Sequence, residues 1–258
     1  MNLPSFSFES WAETHPGKVR EVNEDSYLVE PASGLWLVAD GMGGYDAGEV
    51  ASSAIVAHLA TLGRPSSAQD QHARFLDRLA KANAEVQEYS RAKDGATVGS
   101  TVAALLLFGD QYQGVWAGDS RLYLVRHGKL TQLSRDHSEA QELVEAGVLT
   151  ADEARTWAHR NVITRAIGIT EEVAVDTVSG TTEHADMYLL CSDGLTTHVS
   201  DAEIEDVLRG RRPREACERL IELTLERGAT DNVTIILVQC LSDELTMPMD
   251  TARWTGLR

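Results

Sequence analysis

Cysteine is scarce in this sequence of 258 residues, which contains only Cys191, Cys217 and Cys240 and no Cys-x-x-Cys pair. Three widely spaced thiols cannot form the dense disulfide framework of small secreted domains and are typical of a reducing compartment. The amino-terminal residues also lack the basic region and apolar stretch of a secretory signal peptide. We therefore expect the protein to act in the cytoplasm.

Long hydrophobic runs and an excess of basic residues are missing as well. The longest mostly apolar run, Val102–Phe108, is far shorter than the about 20 residues that a membrane-spanning helix needs. The formal net charge is −17, whereas nucleic acids and anionic membrane surfaces are bound by positively charged faces. The composition therefore predicts neither a membrane protein nor a nucleic-acid-binding protein.

Several common catalytic motifs are also absent. The sequence has no His-Glu-x-x-His zinc motif and no EF-hand pattern. Ser100 and Ser192 lack the nearby His and Asp that would activate a serine nucleophile. His137 and His159 have no partner at zinc-ligand spacing, and we expect both at the surface.

The sequence does contain several strand-like runs, rich in β-branched and aromatic residues. They cover residues 26–30, 35–40, 100–108, 111–117, 121–126, 187–191 and 233–240. Between residues 111 and 133, three runs are separated only by short turns at 118–120 and 127–129. Turns of this length cannot make a parallel crossover, so we expect an antiparallel meander here.

Helices are predicted between these runs. The first begins at Asp46, whose carboxylate can accept from free backbone N–H groups, and ends near Gly63. The second carries a single apolar stripe at steps of three and four residues, formed by Phe75, Leu79, Ala82, Val86 and Tyr89. Two more cover residues 201–209 and 213–227, the latter with proline in its first turn. Strands and helices come in blocks, which predicts an α+β fold with antiparallel sheets.

The segment 138–160 differs from its surroundings because it is short, helical and placed between strands. It contains a capping box formed by Thr150 and Glu153. Its position is typical of an inserted lid. We expect one domain over residues 6–241 that includes this segment, followed by a carboxy-terminal tail, 242–258, in which no motif is found.

Four aspartates occupy similar positions at the ends of apolar strands. Asp40, Asp119 and Asp193 each follow such a run, and Asp231 directly precedes another. If these carboxylates converge, they repel one another unless a counter-charge is present, and Mg²⁺ or Mn²⁺ would supply it through oxygen ligands. Asp-Gly and Asp-Asn are also common turn dipeptides, which is the usual explanation for one alone. Four of them against apolar strands favour a metal centre.

The loop at residues 40–44 superficially resembles a dinucleotide-binding loop, since it follows a strand and precedes a helix. Its glycine spacing does not match, because Asp46 stands where the third glycine would be, and no P-loop lysine follows. A carboxylate directly before the loop suits a metal ion better than a pyrophosphate. Dinucleotide binding is therefore disfavoured.

Seven motifs in register give the sequence a resemblance that covers nearly the whole chain. It resembles the metal-dependent protein phosphatases of type 2C, the PPM family, in their compact bacterial form. The motifs are Arg20-Glu-Val-Asn-Glu24-Asp25, Val38-Ala-Asp-Gly-Met-Gly-Gly44, Gly99-Ser-Thr101, Gly118-Asp-Ser-Arg121, Ile163-Thr-Arg-Ala-Ile-Gly168, Cys191-Ser-Asp-Gly-Leu195 and Thr230-Asp-Asn-Val-Thr234.

The resemblance implies a four-layer sandwich, in which two antiparallel sheets are flanked by pairs of helices, with metals at one end and the segment 138–160 as a small helical flap. Two to three Mn²⁺ or Mg²⁺ ions would be bound. Asp40 would bridge two of them, with the Gly41 carbonyl on one. Asp193 and Asp231 would bind the other, and Asp119 would join Asp193 at a third, weaker site.

The resemblance also implies roles for three further residues. Glu24 and Asp25 would hold metal-bound waters, and Arg20 would clamp the substrate phosphate. A water that bridges two metals loses a proton readily, since coordination can lower its pKa from about 16 toward 7. It would attack phosphorus in line while charge on the phosphoryl oxygens is stabilised. Catalysis would thus depend on Arg20, Asp40 and Asp231.

One departure from the family concerns the leaving group. Many eukaryotic members have histidine where this chain has Met42, and that histidine is thought to protonate the leaving oxygen. Methionine cannot donate a proton, although Asp-Gly-Met-Gly-Gly is common in bacterial relatives. The general acid is therefore not identified by the resemblance.

The implied activity is that of a serine/threonine phosphatase, and we expect a monomer. Its implied partners are phosphorylated proteins and a cognate bacterial Ser/Thr kinase whose action it would oppose. Three alternatives stay open: an inactive relative that only binds phosphoproteins, a phosphatase dedicated to a sigma-factor switch, and a partner-binding module. The first would be expected to have lost strand-end aspartates, and the second often carries a sensor domain. Titration with Mn²⁺ would separate the third from an enzyme.

Overall fold

The computed structural model describes residues 6–43 and 47–242. These residues form eleven strands and seven α-helices. The strands are β1 (Phe6–His15), β2 (Asp25–Glu30), β3 (Leu35–Gly43), β4 (Val98–Ser100), β5 (Val102–Phe108), β6 (Gln111–Ala117), β7 (Arg121–Arg126), β8 (Lys129–Gln132), β9 (Asp176–Thr181), β10 (Met187–Cys191) and β11 (Val233–Ser242). The helices are α1 (Ala47–Leu59), α2 (Ala68–Ala92), α3 (Glu139–Glu145), α4 (Ala151–Thr156), α5 (Asp193–Thr196), α6 (Asp201–Leu208) and α7 (Pro213–Glu226).

The strands pair into two antiparallel sheets. One sheet has the order β1-β11-β10-β7-β8, and the other has the order β2-β3-β5-β6-β9, with β4 also paired to β3. The sheets face each other across an apolar layer that includes Trp36, Tyr188 and Ile236. Successive residues of a strand point to opposite faces, so Leu189 of β10 and Leu237 of β11 pack instead against the helices outside the sheet.

Helices cover the outer face of each sheet. Ile55 of α1 and Phe75 of α2 pack on the sheet that contains β3, β5 and β6. Ile204 of α6 and Leu220 of α7 pack on the sheet that contains β10 and β11. The three apolar layers therefore separate four layers of secondary structure, and the predicted α+β sandwich is confirmed.

The predicted meander is wrong at its first connection. β6 and β7 do not pair: β6 lies between β5 and β9 in one sheet, and β7 lies between β10 and β8 in the other. The turn 118–120 crosses from sheet to sheet, and only β7 and β8 form the expected hairpin. Leu122 and Leu124 explain the difference, because they fill the layer between the sheets and so require β7 to face β6 across the sandwich.

Two strands were not predicted, and one predicted strand is divided. β1 pairs with β11 along its whole length, although its sequence mixes aromatic with polar and charged residues. β9 has few apolar residues and is an edge strand paired to β6. The run 100–108 is interrupted at Thr101, which separates β4 from β5.

The predicted helices are present where the structure describes them, but α1 ends at Leu59, four residues before the predicted end near Gly63. In α2 the predicted stripe faces the core, with Phe75 and Val86 fully buried and Tyr89 partly so. α6 and α7 end within one residue of the predicted limits. The proposed cap of the first helix, Asp46, and residues 243–258 of the tail lie outside the described residues.

The segment 138–160 contains two short helices, α3 and α4, and returns to its starting point. Ser138 forms an antiparallel bridge with Ile163, and the predicted capping box at Thr150 and Glu153 is present at the start of α4. Among the described residues, none of the helices combines the length and apolar character that a membrane span requires.

The expectation that His137 lies at the surface is wrong, whereas His159 is exposed as expected. The His137 ring is buried at the start of the segment 138–160. Its Nδ1 accepts from the Gly118 N–H at 3.2 Å, and its Nε2 lies 3.1 Å from an Asp176 carboxylate oxygen. Trp116 stacks on the ring. Both ring nitrogens have partners, so His137 has a structural role. No local sequence pattern indicates this role.

We expect Asn83→Ala to lower the free energy of unfolding by about 2–3 kcal/mol, because it leaves the buried Gly168 N–H and the partly buried Thr170 carbonyl without this partner. Asn83 is buried in α2, where its Nδ2 donates to the Thr170 carbonyl at 2.9 Å and its Oδ1 accepts from the Gly168 N–H at 2.6 Å. Urea denaturation measures the change. Glu88→Ala on the exposed face of the same helix is the matched control, and an equal effect of both variants would contradict the prediction.

Candidate metal centre

Five aspartates come together at one end of the sandwich. Asp40 lies near the end of β3, and Asp25, the first residue of β2, is its direct cross-strand neighbour. Asp119 lies in the turn between β6 and β7. Asp193 begins α5, two residues after the end of β10, and Asp231 stands two residues before β11. The charges of neighbouring aspartates contribute to a raised pKa at Asp25, Asp40, Asp119 and Asp193. The structure therefore brings the four strand-end aspartates together and adds Asp25 to them.

A close backbone contact sets Asp193 beside Asp231. A Cβ added to Gly194 would lie only 1.9 Å from the Asn232 carbonyl oxygen, so no larger residue fits between the two turns. The Ser192 N–H also donates to the Thr234 carbonyl at 3.1 Å. Both aspartates are thus held by adjacent backbone segments.

Asp25 is the most enclosed of these carboxylates. Ser192 and Thr234 each donate a hydroxyl hydrogen bond of 2.7 Å to its Oδ2. Its Oδ1 is buried and has no hydrogen-bond partner among the described residues. Burial raises the pKa of Asp25 to about 7, against the opposing effect of the two hydroxyls and with a further contribution from Asp193.

Three other aspartates are also shifted toward the protonated form. Loss of hydration, followed by the charge of Asp25, raises the pKa of Asp40 well above its usual range. Loss of hydration and the charge of Asp193 do the same to the pKa of Asp119. For Asp193, loss of hydration and the charge of Asp231 raise the pKa to about 6. The positive charges of the surrounding protein therefore do not balance the negative charges of these carboxylates.

Arg20 is the cation that contacts this group directly. Its Nη2 lies 2.8 Å from Oδ2 of Asp231, and 53% of the arginine side chain and 38% of the aspartate side chain are exposed. The other oxygen of Asp231, Oδ1, accepts from the Asn232 N–H at 2.9 Å. A metal ion bound through Oδ2 of Asp231 would have to share that oxygen with Arg20 or displace the guanidinium.

Asn232 holds the loop that carries Arg20 against the strand end. Its Oδ1 accepts from the Glu24 N–H at 2.8 Å, and its Nδ2 donates to the carbonyls of Pro16 and Val22 at 3.0 and 2.9 Å. One buried amide thus fixes both ends of the loop. This explains why the Arg20 side chain can reach Asp231.

Glu24 links the loop at Gly41 to the first turn of α1. Its Oε1 accepts from the Gly48 N–H at 3.1 Å, and its carbonyl accepts from the Gly41 N–H at 3.2 Å and from the Ser52 hydroxyl at 2.6 Å. A carboxylate at a helix N-terminus is favourable because it meets free N–H groups. The predicted water-holding role of Glu24 stays a prediction.

The residues present fit a divalent cation. Within the described part of the chain, no three His, Cys, Asp or Glu side chains are set closely enough to hold a metal ion as they stand. The donors are nevertheless all carboxylate oxygens, which Mg²⁺ and Mn²⁺ prefer. The unpartnered Asp25 Oδ1 and the raised pKa values show a deficit of positive charge that such ions would remove. The individual ligand roles, including that of the Gly41 carbonyl, stay predictions.

A polar cleft of about 510 Å³ opens beside the aspartates, between the segment 138–160 and α5 and α6. Asp119 and Asp193 lie at its metal-facing side, and Arg160 comes from the segment 138–160. Arg121 and Asp136 form part of its wall and are partly buried, with a guanidinium nitrogen 2.7 Å from a carboxylate oxygen. The cleft is large enough to admit a peptide side chain next to the aspartates.

Met42 occupies an apolar position at the edge of the site. A Cβ added to Gly99 would lie 2.9 Å from the Met42 Cε and 3.1 Å from the Ile169 Cδ1, so these groups meet over Gly99. The thioether packs against apolar neighbours and has no proton to donate.

Sequence reasoning identified the charged residues and missed the neutral residues that hold them. These are Thr101, Ser192, Asn232 and Thr234, all of which are buried. Each lies in a quoted motif beside or near an aspartate, and that proximity could have marked them as candidates. Their hydrogen-bond partners, however, are distant in sequence.

The chain is similar to known proteins over most of its length. The model of the family described as Protein phosphatase 2C matches residues 22–233. The serine/threonine protein phosphatase PstP of Mycobacterium tuberculosis is 40% identical over 228 residues, which cover 88% of this chain and 44% of PstP. This chain therefore spans less than half the length of that relative.

Two solved structures are similar over nearly the whole fold. PppA, described as a key regulatory component of the type VI secretion system in Pseudomonas aeruginosa, has a TM-score of 0.85 and 38% identity, and the match covers 91% of this chain and 98% of that chain. The catalytic domain of PstP in complex with two manganese ions has a TM-score of 0.84 and 35% identity, covering 92% and 100%.

We expect Asp193→Asn to stabilise the metal-free protein at pH 8 by about 1–2 kcal/mol relative to its effect at pH 4. The pKa of Asp193 is raised from 3.8 to about 6. The folded state therefore gains stability from the protonated carboxyl below pH 3.8 and loses it as the pH rises through 6. Asparagine resembles the protonated form and avoids that loss.

Thermal unfolding in chelator at several pH values between 4 and 8 measures this difference. Asp206→Asn, at a side chain 70% exposed on α6, is the control. A stability difference between wild type and Asp193→Asn that does not vary with pH would contradict the assignment.

Proposed function

The chain belongs to the protein phosphatase 2C family, and we propose that it is a metal-dependent enzyme that hydrolyses phosphoserine and phosphothreonine in proteins. The observation that carries this proposal is the convergence of Asp25, Asp40, Asp119, Asp193 and Asp231 with Arg20 beside them. Carboxylates in such a cluster suit divalent cations, and an arginine suits a phosphate dianion.

Two to three Mn²⁺ or Mg²⁺ ions are the proposed cofactors. Asp40, Asp193 and Asp231 would hold the main pair together with the Gly41 carbonyl, and Asp119 would hold a third ion with Asp193. The family is metal-dependent, and a relative's catalytic domain binds two manganese ions. When bound, such ions act as Lewis acids and lower the pKa of a coordinated water so that it becomes a nucleophile at neutral pH.

The protein's own residues would bind and orient the phosphoryl group. Arg20, whose planar guanidinium can hold two oxygens at once, would bind phosphate oxygens after it leaves Asp231. Glu24 and Asp25 would accept hydrogen bonds from waters at the site. Hydrolysis adds water to phosphorus and breaks the bond to the Ser or Thr oxygen, which leaves with a proton. Met42 cannot supply that proton.

The proposed substrates are phosphorylated proteins, and the proposed counterpart is a bacterial Ser/Thr kinase. Relatives in the family are described as protein phosphatases. We also propose that the enzyme acts in the cytoplasm, which its three free, buried cysteines support, and that it is a monomer. The net charge of −17 supports a protein substrate over a nucleic acid.

A relative that binds phosphoproteins without hydrolysing them is the second candidate function. Loss of at least one strand-end aspartate would favour it. The chain retains Asp40, Asp119, Asp193 and Asp231, so hydrolysis is the better-supported function.

We expect Asp231→Ala to abolish hydrolysis of a phosphothreonine peptide that the wild type cleaves with Mn²⁺ or Mg²⁺ but not in EDTA. The substitution removes a proposed metal ligand, and losses of such groups cost at least about 100-fold in rate. Asp206→Ala on the exposed face of α6 is the control. A folded wild type that is inactive with both metals would support the phosphoprotein-binding alternative.

We also propose that the segment 138–160 acts as a flap that selects substrates, because it forms one side of the cleft beside Asp119 and Asp193. Exchange of this segment for that of a relative should change the ratio of kcat/KM values between two phosphopeptides. Hydrolysis of p-nitrophenyl phosphate, which has no peptide to contact the cleft, should change little. An unaltered peptide preference in a folded chimera would refute this role.

A further inference from the structure

Thr101 occupies a break in the sheet directly opposite Asp40. The pairs Gly41 with Ser100 and Val38 with Ala103 lie on either side and keep the same register. Thr101 itself belongs to neither β4 nor β5, and only 3% of it is exposed. The break therefore lies at the residue that faces the proposed bridging carboxylate.

A side chain replaces a backbone acceptor at this break. The Thr101 N–H donates to the Asp40 carbonyl at 2.8 Å, as in a regular antiparallel pair. The Asp40 N–H, however, donates to the Thr101 hydroxyl at 3.0 Å instead of to the Thr101 carbonyl. That carbonyl accepts instead from the Ser100 hydroxyl at 2.8 Å. The backbone position of Asp40 thus depends on one hydroxyl group.

The same hydroxyl also contacts the turn that carries Asp119. Thr101 Oγ1 lies 2.7 Å from Ser120 Oγ, and Ser120, 1% exposed, directly follows Asp119. The Thr101 side chain also packs on Gly118, where φ is +103° and an added Cβ would lie 2.6 Å from the Thr101 methyl carbon. Thr101 therefore contacts both sides of Asp119 as well as the backbone of Asp40.

We propose that Thr101 is a positioning residue that fixes the spacing between Asp40 and Asp119 and thereby couples the main metal pair to the third metal site. This inference rests on the proposed metal-dependent function. The link runs from the Asp40 N–H through the Thr101 hydroxyl to the Ser120 hydroxyl, and it joins the end of β3 to the turn that carries Asp119. Because the Thr101 and Ser120 side chains are buried, water cannot replace a lost hydroxyl of the link without reorganisation.

Conservative substitutions separate the hydroxyl from the methyl group. Thr101→Val keeps the shape and leaves the Asp40 N–H and the Ser120 hydroxyl without their partner. Thr101→Ser keeps the hydroxyl and removes the methyl that packs on Gly118. Ser120→Ala removes only the hydrogen bond between Thr101 and Ser120. Thr224→Val is the matched control, since it removes another fully buried threonine hydroxyl, bonded to the Leu220 carbonyl at 2.9 Å in α7.

The experiment is isothermal titration of each metal-free variant with Mn²⁺, without substrate, together with thermal unfolding. We expect Thr101→Val to weaken Mn²⁺ binding about tenfold, the effect of one lost buried hydrogen bond at the site. Thr101→Ser should restore most of the affinity. Thr224→Val should lower the melting temperature and leave Mn²⁺ affinity within about twofold of wild type.

Ser120→Ala should weaken the lower-affinity Mn²⁺ site more than the main pair, and its effect should not add to that of Thr101→Val, because both variants break the same link. If Thr101→Val or, should that variant not fold, Ser120→Ala binds Mn²⁺ as Thr224→Val does, Thr101 is only structural and the proposal is overturned. A wild type that binds no Mn²⁺ would overturn the proposed function itself and this inference with it.

Discussion

Repulsion among carboxylates at one end of the sandwich is the constraint on which the site depends. Asp25, Asp40, Asp119 and Asp193 all have a raised pKa because they lose hydration and lie near one another. A protein optimised for stability alone would replace them with neutral groups. Their retention makes physical sense when divalent cations bind, because these ions cancel the repulsion and reverse the local field, so that a protein of net charge −17 can accept a phosphate dianion.

Neutral groups maintain the geometry that the charges would otherwise disrupt. Ser192 and Thr234 donate to Asp25, Asn232 fixes the loop of Arg20, and Thr101 joins the turns of Asp40 and Asp119. None of these groups adds to the repulsion, and each is buried where its hydrogen bonds compete little with water. The sandwich supplies rigidity, because each of the strand ends belongs to a sheet packed on both faces.

Arg20 has a partner in the metal-free protein and a different proposed partner when substrate binds. Its ion pair with Asp231 is more than a third exposed on both sides and therefore weak, so it can exchange partners at little cost. In the metal-free protein it supplies part of the missing positive charge. Once that charge comes from metal ions, the guanidinium is available for the phosphoryl oxygens that the proposed reaction requires.

The sequence by itself determined most of the helices and strands and the strand-end aspartates that indicate a metal centre, because these depend on local patterns: apolar strands that end in aspartate, the stripe of α2 and the capping box at Thr150. It did not determine which sheet each strand joins. The short turn at 118–120 predicted a hairpin, yet the burial of Leu122 and Leu124 between the sheets turns it into a crossing. Likewise the buried His137 and the link through Thr101 depend on partners remote in the chain. Tertiary structure decided these points because hydrogen bonds and packing between distant segments follow from the arrangement of the sheets, which no local pattern specifies.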